Sequence, residues 1–176
     1  MMQWLIRPAT ADDLEGIVTV HIESWRETYS GLLPDEVIEA NSVRAERTAM
    51  WAELLHPDNE ATVLVGEADD RVVGFACAGP ARDADAPADF EFWMLYTLQS
   101  THGSGLGQAL TDAVLGDREA YLWCLIGNSR GMAFHRRNGF VVDLPLGLRH
   151  GGGDVRLVRC VFGESETGPA VRIPSR

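Results

Sequence analysis

The sequence predicts a mixed α/β domain, and three observations carry that expectation. Hydrophobic periods switch between helix-like and strand-like spacing along the chain. A long aromatic strand runs into a glycine-rich turn and then a helix. The composition, 176 residues with 45% hydrophobic and 23% charged, is that of an ordinary globular chain. A chain of this size fits one domain that buries roughly two-thirds of its unfolded surface. We expect that domain over residues 1–162 and a flexible polar tail over 163–176.

Trp4-Leu5-Ile6 reads as a first strand, and Thr10 with Asp13 as a capping box opening a helix. Leu14, Ile17, Val18, His21, Ile22, Trp25 and Tyr29 then recur at three- and four-residue steps, up to a stop at Ser30-Gly31. A second helical stretch follows Pro34, with Ala49, Met50, Leu54 and Leu55 as its inner face. Thr62 to Val65 and Val72 to Ala78 form a hairpin around Asp69-Asp70. Arg82 to Asp89 reads as an exposed loop, and Phe90 to Leu98 as the aromatic strand. Leu106, Ala109, Leu110, Ala113 and Val114 are spaced as a helix, Tyr121 to Ile126 as a strand, and Ser129 to Arg137 as a short helix stopped by Asn138-Gly139. Two final strands follow, the last from Val155 to Phe162.

Charge narrows the partners. All 15 basic residues are arginine, against 26 acidic ones, giving a net charge of −11. Nucleic acid calls for a basic patch and is not expected as the partner; a cationic substrate fits better. No apolar run approaches the roughly 18 residues of a membrane span, and the N-terminus lacks the regions of a signal peptide. A cytoplasmic protein without membrane association is expected. Cys77, Cys124 and Cys160 lie in apolar runs without metal-ligand spacing, so buried thiols and no metal are expected.

The turn His102-Gly103-Ser104-Gly105-Leu106-Gly107-Gln108 carries the functional signal. A strand, a glycine turn and a helix in succession aim free amides and the positive helix end at one point, which suits a phosphate. A P-loop requires a lysine, and the chain has none. A dinucleotide fingerprint requires GxGxxG, whereas the spacing here is GxGxG.

Leu95-Tyr96-Thr97 followed by His102 to Gly107 resembles the central motif of the GNAT superfamily of acyl-CoA-dependent N-acetyltransferases. Asn128, Ala133-Phe134-His135 and Asn138-Gly139-Phe140 resemble its second motif, and Ile6 to Thr10 with Asp12-Asp13 its first strand and helix. The resemblance covers roughly residues 4 to 162. It implies a mostly antiparallel central sheet with splayed middle strands, flanked by helices, and acetyl-CoA as co-substrate. By position, Leu95, Tyr96 and Thr97 would meet the acetyl and pantetheine portions. His102, Gly103, Ser104, Gly105, Leu106, Gly107 and Gln108 would wrap the pyrophosphate, and Asn128 would hold the pantetheine arm or simply cap the following helix.

Two positions depart from the family pattern. His102 stands where Gln or Arg is usual, so its contribution depends on its protonation. His135 stands where many members carry a tyrosine that protonates the departing thiolate; imidazole can do the same, or the residue is an exposed histidine beside Arg136 and Arg137. The acceptor must also lose a proton, since an alkylammonium has a pKa near about 10.4. Glu91 is the candidate base, sharing a face with Trp93 and Leu95 under strict alternation. A strand amide near Leu95 to Thr97 would stabilise the oxyanion of direct attack.

On the acceptor side the resemblance points to Trp25, Tyr29 and Asp89, with Glu36, Asp83 and Asp85 nearby, as a lining for a small-molecule or peptide amine. Two functions remain: N-acetyl transfer, or a non-catalytic acetyl-CoA-binding module. A monomer or a homodimer is open, the latter through an edge strand at Val155 to Phe162.

Overall fold

The strand-like periods pair into a single sheet. The computed structural model describes residues 3–143, 148–149 and 153–160. The expected tail over 163–176 and the end of the expected last strand lie outside the described residues. In chain order the elements are β1 (Leu5–Pro8), α1 (Leu14–Tyr29), α2 (Asp35–Ala40), α3 (Arg44–Leu54), β2 (Thr62–Ala68), β3 (Arg71–Pro80) and β4 (Phe90–Thr97). There follow α4 (Leu106–Leu115), β5 (Ala120–Leu125), α5 (Ser129–Arg137), β6 (Val141–Val142), β7 (Leu148–Arg149) and β8 (Asp154–Arg159). The sheet order is β1-β2-β3-β4-β5-β8-β6, with β7 also on β8, and only β4 and β5 pair in parallel. This is the mixed, mostly antiparallel sheet that the sequence implied.

Local chemistry explains the element ends. The Thr10 amide donates to Asp13 Oδ2 at 2.8 Å, forming the expected capping box, although it opens a short 3₁₀ turn (Ala11–Asp13) that leads into α1. Arg7 ties this turn to the sheet, reaching Asp13 at 2.7 Å and Glu67 at 2.6 Å. That guanidinium holds the Asp13 carboxyl down at about 2. Asp69 and Asp70 both take positive φ, as a two-residue hairpin with right-handed strand twist requires.

Several expectations are corrected. The second helical stretch is two helices, separated at Asn41–Val43, and its buried anchor is Trp51, at 0% exposure, while Ala49 faces outward. Cys160 is exposed, although Cys77 and Cys124 are buried. β8 is not an edge strand: β5 pairs along one side, and β6 and β7 along the other. It therefore offers no free edge to a second copy. Among the described residues no helix is long and apolar enough to cross a membrane.

The sheet separates two apolar clusters. One packs α4 against Ala76, Phe92, Leu122 and Leu157. The other packs α1 and Trp51 against Val65, Phe75 and Cys77. Inside the second, His21 accepts from Trp51 Nε1 through Nδ1 at 3.0 Å and stacks on Tyr96, with ring centroids 5.3 Å apart. Burial, reinforced by the Arg47 charge, pushes the His21 imidazole down from 6.5 to about 3. Because the folded value lies below the unfolded one, this stability is complete above the ordinary value and is lost as pH falls toward 3. We expect the denaturation midpoint to fall between pH 7 and pH 4.5, and to fall less steeply in His21→Phe, which cannot protonate. Parallel curves for the two proteins in urea titrations would remove His21 as a source of acid sensitivity.

Candidate active site

β4 and β5 touch at a single register pair, Glu91 with Tyr121, and then diverge. The wedge between them is a cleft of about 500 Å³, lined by residues 92–97 of β4 and 122–124 of β5. It opens toward both faces of the sheet. Thr28 and Tyr29 reach it from α1 on one side, while the turn before α4 and residues of α5 reach it from the other.

The turn is built as an anion cradle. Gly103 and Gly105 sit at φ +80° and +90°, which side-chain-bearing residues adopt only with strain. Gly105 caps α4, whose first intrahelical bond runs from the Ala109 amide to the Gly105 carbonyl at 3.0 Å. The amides of residues 105–108 therefore have no acceptor within the helix, and the Leu106 amide leans on Ser104 Oγ at 3.3 Å. The Leu106 side chain packs close against the sheet at Gly66 and Gly74. A Cβ on Gly66 would lie 2.5 Å from Leu106 Cδ1, and one on Gly74 would lie 2.9 Å from Thr97 Cγ2 and 3.2 Å from Leu106 Cδ2. His102, Gly103, Gly105, Leu106, Gly107 and Gln108 line the cleft, whereas Ser104 does not. The Gln108 side chain donates to Asn138 Oδ1 at 2.6 Å and Asp112 Oδ1 at 2.8 Å. His102 Nε2 lies 3.3 Å from the Thr97 carbonyl, and burial followed by the Arg130 charge lowers its pKa. It is a neutral imidazole at pH 7.

On α5, Asn128 lines the cleft and also caps the helix, accepting from the Gly131 amide at 2.9 Å. Both expected roles are thus geometrically compatible. His135 points inward rather than out: it lines the cleft with its ring edge-on to Phe92, Phe134 and Phe140. Its Nδ1 is buried without a hydrogen-bond partner among the described residues, and burial pushes its pKa down to about 4. Arg130, Phe134 and Arg137 also line the cleft. Sequence reasoning missed both arginines, although positions 130, 134 and 137 follow the i, i+4, i+7 spacing of one helix face.

Leu95, Tyr96 and Thr97 line the cleft as expected, but Glu91 does not. In β4, Phe92 pairs with Ala78 and Met94 with Cys77, which leaves Trp93 as a bulge. The bulge breaks alternation: Trp93, Met94 and Tyr96 pack with the α1 cluster, while Phe92 and Leu95 pack with the α4 cluster. Glu91 therefore does not share a face with Leu95. At 1% exposure it accepts from Arg82 Nη2 at 2.6 Å and Nε at 2.8 Å, and from the Tyr121 hydroxyl at 3.0 Å.

The acidic groups expected around an acceptor lie elsewhere. Asp89 is exposed, and its carbonyl accepts from the Ala81 amide at the neck of the 81–89 loop. Asp83 accepts from Trp123 Nε1 at 2.8 Å, Asp85 pairs with Arg156 at 3.1 Å, and Glu36 is exposed on α2. Tyr29 lines the cleft, with its hydroxyl 3.2 Å from that of Tyr96; Trp25 stands behind it, ring centroids 4.2 Å apart. Cys124 is also in the lining, but burial pushes its thiol up to about 11, so it is no thiolate nucleophile at neutral pH.

Comparison with known proteins adds the following. A family model of the GNAT acetyltransferase domain matches residues 59–142. The uncharacterized N-acetyltransferase YuaI of Bacillus subtilis is 27% identical over 60% of this chain, a match spanning 58% of its own length. A probable N-acetyltransferase of Mycobacterium tuberculosis, Rv2775, is 22% identical over 78% of this chain and 80% of its own. The crystal structure of PaiA N-acetyltransferase from Thermoplasma acidophilum in complex with coenzyme A is similar in fold. Its TM-score is 0.71 at 24% identity, covering 90% of this chain and 99% of that one.

Asn128 generates a stability expectation of its own. A Cβ on Gly131 would lie 2.7 Å from Asn128 Nδ2, so Gly131→Ala must displace the cap. Asn128→Ala and Gly131→Ala should each cost about 1 kcal/mol in thermal or urea denaturation. Because they remove one interaction, the double variant should be little worse than either. Fully additive losses would show that the two act separately.

Proposed function

We propose that the chain is a member of the GNAT superfamily of acyl-CoA-dependent N-acetyltransferases and that it moves an acetyl group from acetyl-CoA to a primary amine by direct attack. The observation that carries this reading is the wedge between β4 and β5, with the positive end of α4 at one side and an aromatic opening at the other. The donor set fits the co-substrate. Amides of residues 105–108 and the helix dipole suit a pyrophosphate, and Arg130 and Arg137 add permanent positive charge. Beyond Glu91, the β4 backbone that faces β5 is released from pairing and can bond the pantetheine amides. Acetyl-CoA, when bound, supplies an acyl group already activated as a thioester.

The remaining work falls to this chain's own side chains. Strand amides near Leu95 to Thr97 face the place where negative charge develops on the acyl oxygen. His135 is uncharged at neutral pH, so it meets the departing sulfur as a hydrogen-bond donor. The attacking nitrogen sheds one proton on acylation and the departing thiolate gains one, and the uncharged imidazole can accept that proton and pass it to the sulfur. Glu91, held by Arg82 and Tyr121, serves as a positioning residue at the apex of the wedge. Before attack, the acceptor ammonium loses its proton to solvent, because no aspartate or glutamate lines the cleft among the described residues. Protonated Cys124 and the direct approach make a covalent enzyme intermediate unnecessary.

The alternative, a non-catalytic acetyl-CoA-binding module, draws on the same ion pair, since Glu91 is not presented to the cleft as a base. Thiol release from acetyl-CoA separates the two: amine-dependent release establishes transfer, and tight binding without it establishes the module. With transfer, kcat/KM should rise from pH 6 to pH 9 as the free amine fraction grows, since alkylammonium pKa values lie near about 10.4. His135→Ala should lower kcat by about 10²-fold, within the usual range for a proton-transfer group, and leave acetyl-CoA affinity within a few-fold. An unchanged kcat would take His135 out of the mechanism.

A further inference from the structure

The glycines that suit the turn to a phosphate also make it easy to turn the wrong way. The peptide joining Ser104 to Gly105 presents its N–H on one side and its carbonyl on the other, as a planar trans peptide must. Gly105 sits at φ +90° and lines the cleft. Without a Cβ it takes either sign of φ readily, so rotation of that peptide plane meets little steric resistance there. A flipped plane would put an oxygen where a pyrophosphate needs a donor.

What opposes the flip comes from the residue before β1. Trp4 Nε1 donates to the Ser104 carbonyl at 3.3 Å, across 100 positions of sequence. The same indole lies against Gly105, with Cζ2 3.7 Å from where a Cβ on that glycine would be. Trp4 and Ile6 both pack against the α4 cluster, and Ile6 pairs with Gly66, the glycine on which the Leu106 side chain rests. The start of β1 is thus held beside the start of α4. Trp4 stands outside the cleft lining, whereas Gly103, Gly105 and Gly107 belong to it. A carbonyl held toward Trp4 is held away from a bound ligand, and its plane turns the Gly105 amide inward. The other polar groups of Ser104 are engaged within the turn. Its amide donates to the Thr101 carbonyl at 3.1 Å, and its hydroxyl oxygen accepts from the Leu106 amide at 3.3 Å.

We propose that Trp4 is a positioning residue for co-substrate binding: its indole N–H fixes the Ser104–Gly105 peptide with the amide toward the cleft. This rests on the reading that the turn takes the pyrophosphate of acetyl-CoA. Trp4 acts through the turn, so its contribution falls on affinity for the pyrophosphate and not on the acyl-transfer step.

The test compares wild type with Trp4→Phe, which keeps an aromatic ring and lacks the donor. Calorimetry reads the affinity for CoA, and NMR titration reads that for pantetheine, which has the same thiol arm without the pyrophosphate. We expect the variant to bind CoA about five-fold more weakly, the scale of one neutral hydrogen bond, and to bind pantetheine as wild type does. With an amine that is turned over, KM for acetyl-CoA should rise by the same factor at unchanged kcat. A second measurement needs no substitution. Coupling is reciprocal, so saturating CoA should slow hydrogen exchange of the Trp4 indole N–H in wild type by about five-fold, and this result decides if the variant does not fold. If wild type does not bind CoA, the co-substrate reading falls and the proposal with it. Wild-type binding with CoA affinity unchanged in Trp4→Phe overturns the proposal alone. An equal loss for CoA and pantetheine, or indole exchange that CoA leaves unaltered, does the same.

Discussion

Two parallel strands that meet once and then part are the feature on which the other parts of this molecule depend. A buried strand whose backbone groups are left without partners is costly, so a chain that keeps such a wedge must hold it open and give its groups something to bond. The apex is held by the Glu91 carboxylate, which gathers Arg82 and Tyr121 from neighbouring segments at the place where the strands still touch. The bulge at Trp93 then turns the β4 side chains, so that Leu95 joins the α4 cluster and Tyr96 the α1 cluster. Burying an ion pair is a poor route to stability in itself, since its desolvation offsets much of its attraction. Here its value is geometric: a bidentate guanidinium fixes direction as well as distance.

Much of this was legible in the residues. Periods of two and near four located the strands and helices, Asp69-Asp70 marked the hairpin, and Asn138-Gly139 marked the end of α5, where Gly139 takes φ +82°. The glycine turn and Asn128 were legible because they use backbone chemistry that few residue types permit. What escaped depends on register. One extra residue in β4 separates Glu91 from the face of Leu95, and no local pattern around Phe90 to Leu98 announces it. Trp51 was passed over as a core anchor because exposed Ala49 and half-buried Met50 imitate an inner face beside it. Asp83 and Asp85 of the 81–89 loop read as free acids because their partner Arg156 lies some seventy positions further along the chain.

Electrostatically the chain separates long range from short. Its surplus of acid surrounds the molecule, yet the described cleft is lined by two arginines and by histidines that burial keeps neutral. Guanidinium groups also serve as packing material, resting on the faces of Trp25, Trp93 and Trp123. An all-arginine complement suits that use, because the planar group stacks and forks where an ammonium would only point.

The closeness of α4 to the sheet has a consequence for how damage travels. Gly66 and Gly74 belong to β2 and β3, outside the cleft lining, yet the Leu106 side chain at the start of α4 occupies the space their missing side chains leave. An added methyl would press on Leu106 from Gly66, and on Thr97 and Leu106 from Gly74, so sensitivity to mutation need not map onto the contact surface. Residues that look like mere spacers in the middle of a sheet stand directly behind two side chains of the site.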